Sequence, residues 1–229
     1  MSAVRPVRSS FPSLGRNVVS GRRHTFTGYV PSAKEGNDFR VVAYESLLER
    51  DFIQLLEDDH DVVSYADRSE PVVWIDRDGV TRRYYPDFDV LRRDDLRTCV
   101  EVKPLDRILK HDLLLHYEQI ERYAIGSGRF ARFEIWTDRE IRDPIPLYNA
   151  ELRNVGRLNR EPMPFSVSIV SALRGLGGRA TLGDLRDASG LGRDAFWAVV
   201  RSLARDVFRL EEPHRPIDDR SVVRLEVRS

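Results

Sequence analysis

Between residues 71 and 136 the apolar residues of this chain switch repeatedly between strand and helix spacing, and that succession of periods admits few architectures. Residues 71–76 and 81–90 read as strands joined by the turn Asp76-Arg-Asp-Gly79, and the polar turn at residues 92–95 leads into a strand at 98–104. Residues 113–124 have helical spacing, Gly126-Ser-Gly128 stops them, and Phe133-Glu-Ile-Trp136 is one more strand. Upstream, Leu48, Phe52, Ile53, Leu55 and Leu56 predict a helix over residues 46–58, ended by Asp58-Asp59-His60-Asp61. The order α-β-β-β-α-β predicts an α/β domain with a mixed sheet flanked by helices, the second helix being the crossover.

Two strands of that sheet carry a reactive set of side chains. Asp87 follows Tyr85-Pro86, and the next strand holds Val100-Glu101-Val102-Lys103. Strand side chains alternate, so Glu101 and Lys103 emerge on one face. Asp87 and Glu101 can hold a hard divalent cation through oxygen, with the Val102 backbone carbonyl completing the set, while Lys103 assists the attacking water or neutralises developing negative charge. Lysine is scarce here: Lys34, Lys103 and Lys110 stand among 37 Lys and Arg residues, so a lysine beside two acids carries more weight than usual. An acid, a turn, then Glu-x-Lys resembles the metal-dependent nucleases of the PD-(D/E)xK class, and implies a restriction-endonuclease-like αβββαβ core.

The first helix adds a third acid. Glu45 and Glu49 lie one turn apart and read as pointing into the apolar arc of Phe52, Ile53 and Leu56, where an acid is costly unless paired or metal-bound. Glu49 sits deeper and is the candidate third metal ligand; Glu45 also suits a first turn in which an acid complements the helix dipole. In the second helix Gln119 and Tyr123 share a face and are candidates for holding a substrate phosphate, or form a polar helix flank.

Tyr44-Glu-Ser-Leu-Leu-Glu-Arg-Asp-Phe52, Asp61-Val-Val, Tyr84-Tyr-Pro-Asp-Phe88, Glu101-Val-Lys-Pro104 and Trp136-Thr-Asp-Arg-Glu-Ile141, in this order, resemble the TnsA family, the endonuclease subunits of heteromeric transposases. The resemblance spans residues 40–145. It implies an active site of Glu49, Asp87, Glu101 and Lys103, a magnesium or manganese cofactor, and cleavage of double-stranded DNA at transposon ends. It further implies a TnsB-like transposase and a TnsC-like ATPase regulator as partners.

Zero net charge gives little general attraction to nucleic acid, but the charge is uneven: residues 1–40 are basic by five, 41–150 acidic by eight, and 151–229 basic by three. The basic segment 1–40 is expected to be an arm that follows a DNA backbone or a solubilising tail. One cysteine, Cys99, excludes an intrachain disulfide and points to a reducing, cytoplasmic setting. No apolar run reaches membrane-spanning length, the histidines have no zinc spacing, and no phosphate-binding P-loop is present.

The expected domains are a nuclease domain over residues 41–150, a linker at 151–164 broken by Gly156, Pro162 and Pro164, and a second module over 165–229. In that module helices at 167–176, 181–188 and up to 205, then strands at 207–210 and 222–226, predict a winged-helix-like fold. Its third helix buries Phe196, Val199, Val200 and Leu203 and leaves Arg193, Trp197 and Arg201 on another face, for DNA or a protein partner. Asp194, Glu211, Glu212, Asp218 and Asp219 would repel phosphate there. Two other readings remain open: a stand-alone nuclease of the same fold, and an inactive nuclease fold serving as a winged-helix DNA-binding or adaptor protein.

Overall fold

A computed structural model describes residues 26–34, 40–67, 69–158 and 164–226. The chain is mixed α/β and divides into two compact units between Ile141 and Arg142.

In the first unit, strands β1 (Gly28–Ser32) and β2 (Arg40–Tyr44) pair antiparallel ahead of helix α1 (Leu47–Asp58). Next come β3 (Val62–Ala66), the paired strands β4 (Val72–Ile75) and β5 (Thr81–Tyr84), β6 (Phe88–Arg92) and β7 (Arg97–Val102). Helices α2 (Leu105–Lys110) and α3 (Leu114–Gly126) lead to β8 (Arg132–Trp136) and the short α4 (Asp138–Ile141). The central sheet has the order β3-β6-β7-β8, antiparallel except for β7 with β8. That one parallel pair needs a crossover, which α2 and α3 provide.

Alternation along β6 and β7 decides what covers each face. Phe88, Val90, Val100 and Val102 pack with Phe52, Ile53 and Leu56 of α1, while Cys99 packs with Ala124 of α3 on the opposite face. The β4–β5 hairpin folds onto α3, where Trp74 stacks on Tyr123 with ring centroids 4.9 Å apart.

Several expectations are corrected here. The run at 81–90 is two strands, not one, because Pro86 has no N–H for a ladder and breaks β5 from β6. Residues 71–76 pair only with β5, and the sheet position expected for them belongs to β3. Part of the supposed basic arm is structured: Val30 of β1 joins the α1 core, and the Ala33 N–H donates to Glu57 Oε2 at 2.9 Å. Residues 1–25 and 35–39 of that arm lie outside the described residues.

The second unit begins with α5 (Pro144–Leu158), followed by α6 (Pro164–Gly175), β9 (Arg179–Thr181), α7 (Leu182–Ser189), α8 (Asp194–Ala204), β10 (Phe208–Leu210) and β11 (Val222–Leu225). Up to Leu158 the expected linker is therefore helix; residues 159–163 lie outside the described residues. Pro144 and Pro146 do not prevent it, since the first N–H groups of a helix have no intrahelical partner to lose. Gly156 lets α5 approach α8: a Cβ there would stand 2.8 Å from Val200 Cγ1 and 3.3 Å from the Arg201 backbone nitrogen. Thr181 caps α7 as expected, accepting from the Asp184 N–H at 3.1 Å. Strand β11 pairs with both β10 and β9, adding a third strand to the expected hairpin.

Candidate functional site

The β6–β7 ladder ends at Phe88↔Val100, where Asp87 immediately precedes β6 and Glu101 follows Val100 along β7. Asp87 Oδ2 accepts the Val102 N–H at 2.8 Å, so a side-chain oxygen takes the place of a ladder carbonyl just beyond the last paired residues, Phe88 and Val100. The N–H and C=O of a strand residue point to the same edge, so the Val102 carbonyl turns to the side on which Asp87 takes the N–H, and Pro86 has no N–H to offer there. The Asp87 carboxylate and the Val102 carbonyl thus lie at one strand end.

Glu101 is buried and held from several sides. The Tyr84 hydroxyl donates to its Oε2 at 2.5 Å, the Tyr117 hydroxyl to its Oε1 at 2.9 Å, and Lys103 Nζ stands 3.0 Å from Oε1. Burial, then the negative charge of Glu101, pushes both tyrosines well above their ordinary range, so they stay protonated donors. Burial pulls the Lys103 ammonium down, but the Glu101 charge and hydrogen bond more than offset this and leave it raised and charged.

Asp87 is pushed up to about 8, first by burial and then by the charge of Glu101, against the Val102 hydrogen bond; Glu49 and Lys103 act on it more weakly and in opposite senses. Glu49 is raised by burial, partly offset by its hydrogen bonds. Its Oε2 accepts the Glu45 N–H at 2.7 Å and its Oε1 accepts the Ser46 hydroxyl at 2.9 Å, while the Glu49 N–H donates to Ser46 Oγ at 3.1 Å. Glu49 is thus both a helix cap and a member of the acidic group. Glu45, expected on the same core-facing arc, instead precedes the cap residue Ser46 and is exposed.

Glu49, Asp87 and Glu101 together face a single ammonium, Lys103. That imbalance, in a largely buried site of hard oxygen donors, is the chemistry a magnesium- or manganese-sized cation fits. Among the described residues no three His, Cys, Asp or Glu side chains form a cation-binding group. No protein-family model matches the chain. No curated protein is significantly similar to it.

The remaining candidates fall elsewhere. Gln119 is exposed and Tyr123 is stacked on Trp74; the α3 residue that reaches Glu101 is Tyr117, two positions before Gln119. Its signal in the sequence was a phenol on the same helix stripe as the buried Ile120 and Ala124. In α8, Arg193 and Trp197 are exposed as expected, but Arg201 is 3% exposed. The expectation for Arg201 is corrected because α5 lies along that flank of α8, as the Gly156 approach to its backbone shows.

Proposed function

We propose that the chain is a magnesium- or manganese-dependent DNA endonuclease of the PD-(D/E)xK class, with Asp87, Glu101 and the Val102 carbonyl as the cation ligands. The observation that carries this reading is the end of β6 and β7, where the Asp87 carboxylate takes the Val102 N–H and Glu101, the residue before Val102, lies beside the Lys103 ammonium. A bound cation would polarise the scissile phosphate and acidify a water molecule. Lys103, held protonated by Glu101, neutralises charge on the phosphoryl oxygens in the transition state and does not act as the base. Glu49 supplies further negative charge from the start of α1.

The sheet order and the α2–α3 crossover favour a restriction-endonuclease-like core for the first unit. In the second, the order helix, strand, helix, helix, strand, strand from α6 to β11 favours a winged helix, with Arg193 and Trp197 as its contact residues. The TnsA-like motifs support a role as the endonuclease subunit of a transposase, with a TnsB-like transposase and a TnsC-like ATPase as partners at transposon ends. The test is cleavage of DNA carrying the element's ends, with and without the neighbouring transposase. Feeble nicking alone and strong end-specific cleavage with the partner is the expected result; full partner-free cutting of arbitrary duplex would move the assignment to a stand-alone nuclease.

A further inference from the structure

Glu101 receives more donors than cation binding alone would call for, and they come from separate elements: Tyr84 from β5, Tyr117 from α3 and Lys103 from just beyond β7. Both phenol rings are fixed. Each lies 6.3 Å, centroid to centroid, from Phe133 of β8, and both belong to the apolar cluster of Ile108 and Ile120.

An ionised carboxylate has about four lone-pair sites, two on each oxygen. On Glu101, Oε1 takes the Tyr117 hydroxyl and the Lys103 ammonium, which fills it. Oε2 takes only the Tyr84 hydroxyl and keeps one site open. A cation approaching this carboxylate therefore finds one oxygen, not two. The distinction matters because Mg²⁺ demands near-octahedral geometry and dehydrates reluctantly, whereas Ca²⁺ accepts 6–8 oxygens and readily takes both oxygens of a carboxylate.

We propose that Tyr84 and Tyr117 are positioning residues that restrict Glu101 to one-oxygen coordination, and that this restriction makes the site select Mg²⁺ or Mn²⁺ over Ca²⁺. The inference rests on the reading of Asp87 and Glu101 as cation ligands. The two tyrosines act differently. Tyr117 closes Oε1, so it excludes the two-oxygen mode; Tyr84 fixes the direction of the remaining lone pair on Oε2.

The experiment is calorimetric titration of the full-length protein with Mg²⁺ and with Ca²⁺, without DNA, for wild type, Tyr84→Phe, Tyr117→Phe and Asp87→Asn, with circular dichroism checking each fold. Tyr117→Phe should raise affinity for Ca²⁺ relative to Mg²⁺ by about fivefold or more, since it frees a lone pair on Oε1. Tyr84→Phe should weaken both cations together and leave their ratio within about twofold of wild type. A purely structural role would weaken both cations in both variants. If Tyr117→Phe fails to fold, Lys103→Met vacates a site on the same oxygen from a half-exposed position and should shift the ratio in the same direction. An unchanged Ca²⁺-to-Mg²⁺ ratio in Tyr117→Phe and Lys103→Met, with binding still lost in Asp87→Asn, overturns the positioning role and leaves the cation site standing. Wild type that binds neither cation overturns both.

Discussion

Asp87 is held by a backbone N–H that favours its charge and by burial and the Glu101 carboxylate, which oppose it more strongly. Its folded-state pKa lies above the unfolded one, so between its ordinary value of 3.8 and about 8 the metal-free folded protein keeps a proton that the unfolded chain has released. The contribution of Asp87 to stability is therefore greatest below that window and falls as pH rises through it. Asp87→Asn should raise the melting temperature in EDTA at pH 8, by roughly 2–4 °C for each kcal/mol of repulsion removed, and the gain should vanish near pH 4. A melting temperature lowered equally at both pH values would show that Asp87 stabilises the fold as a charged group. Asp87, Glu101 and Lys103 were legible in the sequence because strand alternation and the turn between them fix their direction. The Tyr84 and Tyr117 contacts were not, because they depend on how a hairpin and a crossover helix settle on the sheet.

At the scale of elements, α1, α3, β7 and β8 announced themselves through unbroken apolar periods, whereas β1, β2 and α5 did not. The paired strands β1 and β2 are separated by a polar stretch, so no local alternation links them, and only their pairing, from Gly28 with Tyr44 to Ser32 with Arg40, makes them one unit. Helix α5 was hidden by Gly156, which reads as a breaker but lies where α5 closes on α8, and the prolines at its start are tolerated in the first turn. Gly156→Ala should accordingly destabilise the second unit by about 1–3 kcal/mol, because the clash with α8 outweighs alanine's helix advantage of about 1 kcal/mol. Denaturant unfolding measures this, and a more stable variant would remove the close approach from the account. The first turn of α1 separates two roles of Glu49. Glu49→Gln keeps one acceptor oxygen for the Glu45 N–H and turns its amide N–H onto Ser46 Oγ, reversing that bond, so it should hold stability within about 1 kcal/mol while cutting DNA cleavage at least tenfold. Cleavage unchanged in a stable Glu49→Gln protein would reduce Glu49 to a cap.

For the whole molecule, an even charge balance and acids gathered in the middle segment argue against a nuclease that finds DNA by general attraction. Among the described residues no helix is long and apolar enough to cross a membrane. The division into two units was legible, but its position was not: the second unit starts at Arg142, because α5 belongs with α8 and not with the sheet. The proposed function places catalysis in the first unit alone, and docking at Arg193 and Trp197 of the second. The assignment of catalysis is tested most directly by nicking of supercoiled plasmid in Mn²⁺ at high protein concentration, comparing wild type with Asp87→Asn and Glu101→Gln. The account predicts slow nicking by wild type that stops in EDTA and is lost in both variants; equal behaviour of the three proteins, whether all nick or none does, would contradict it.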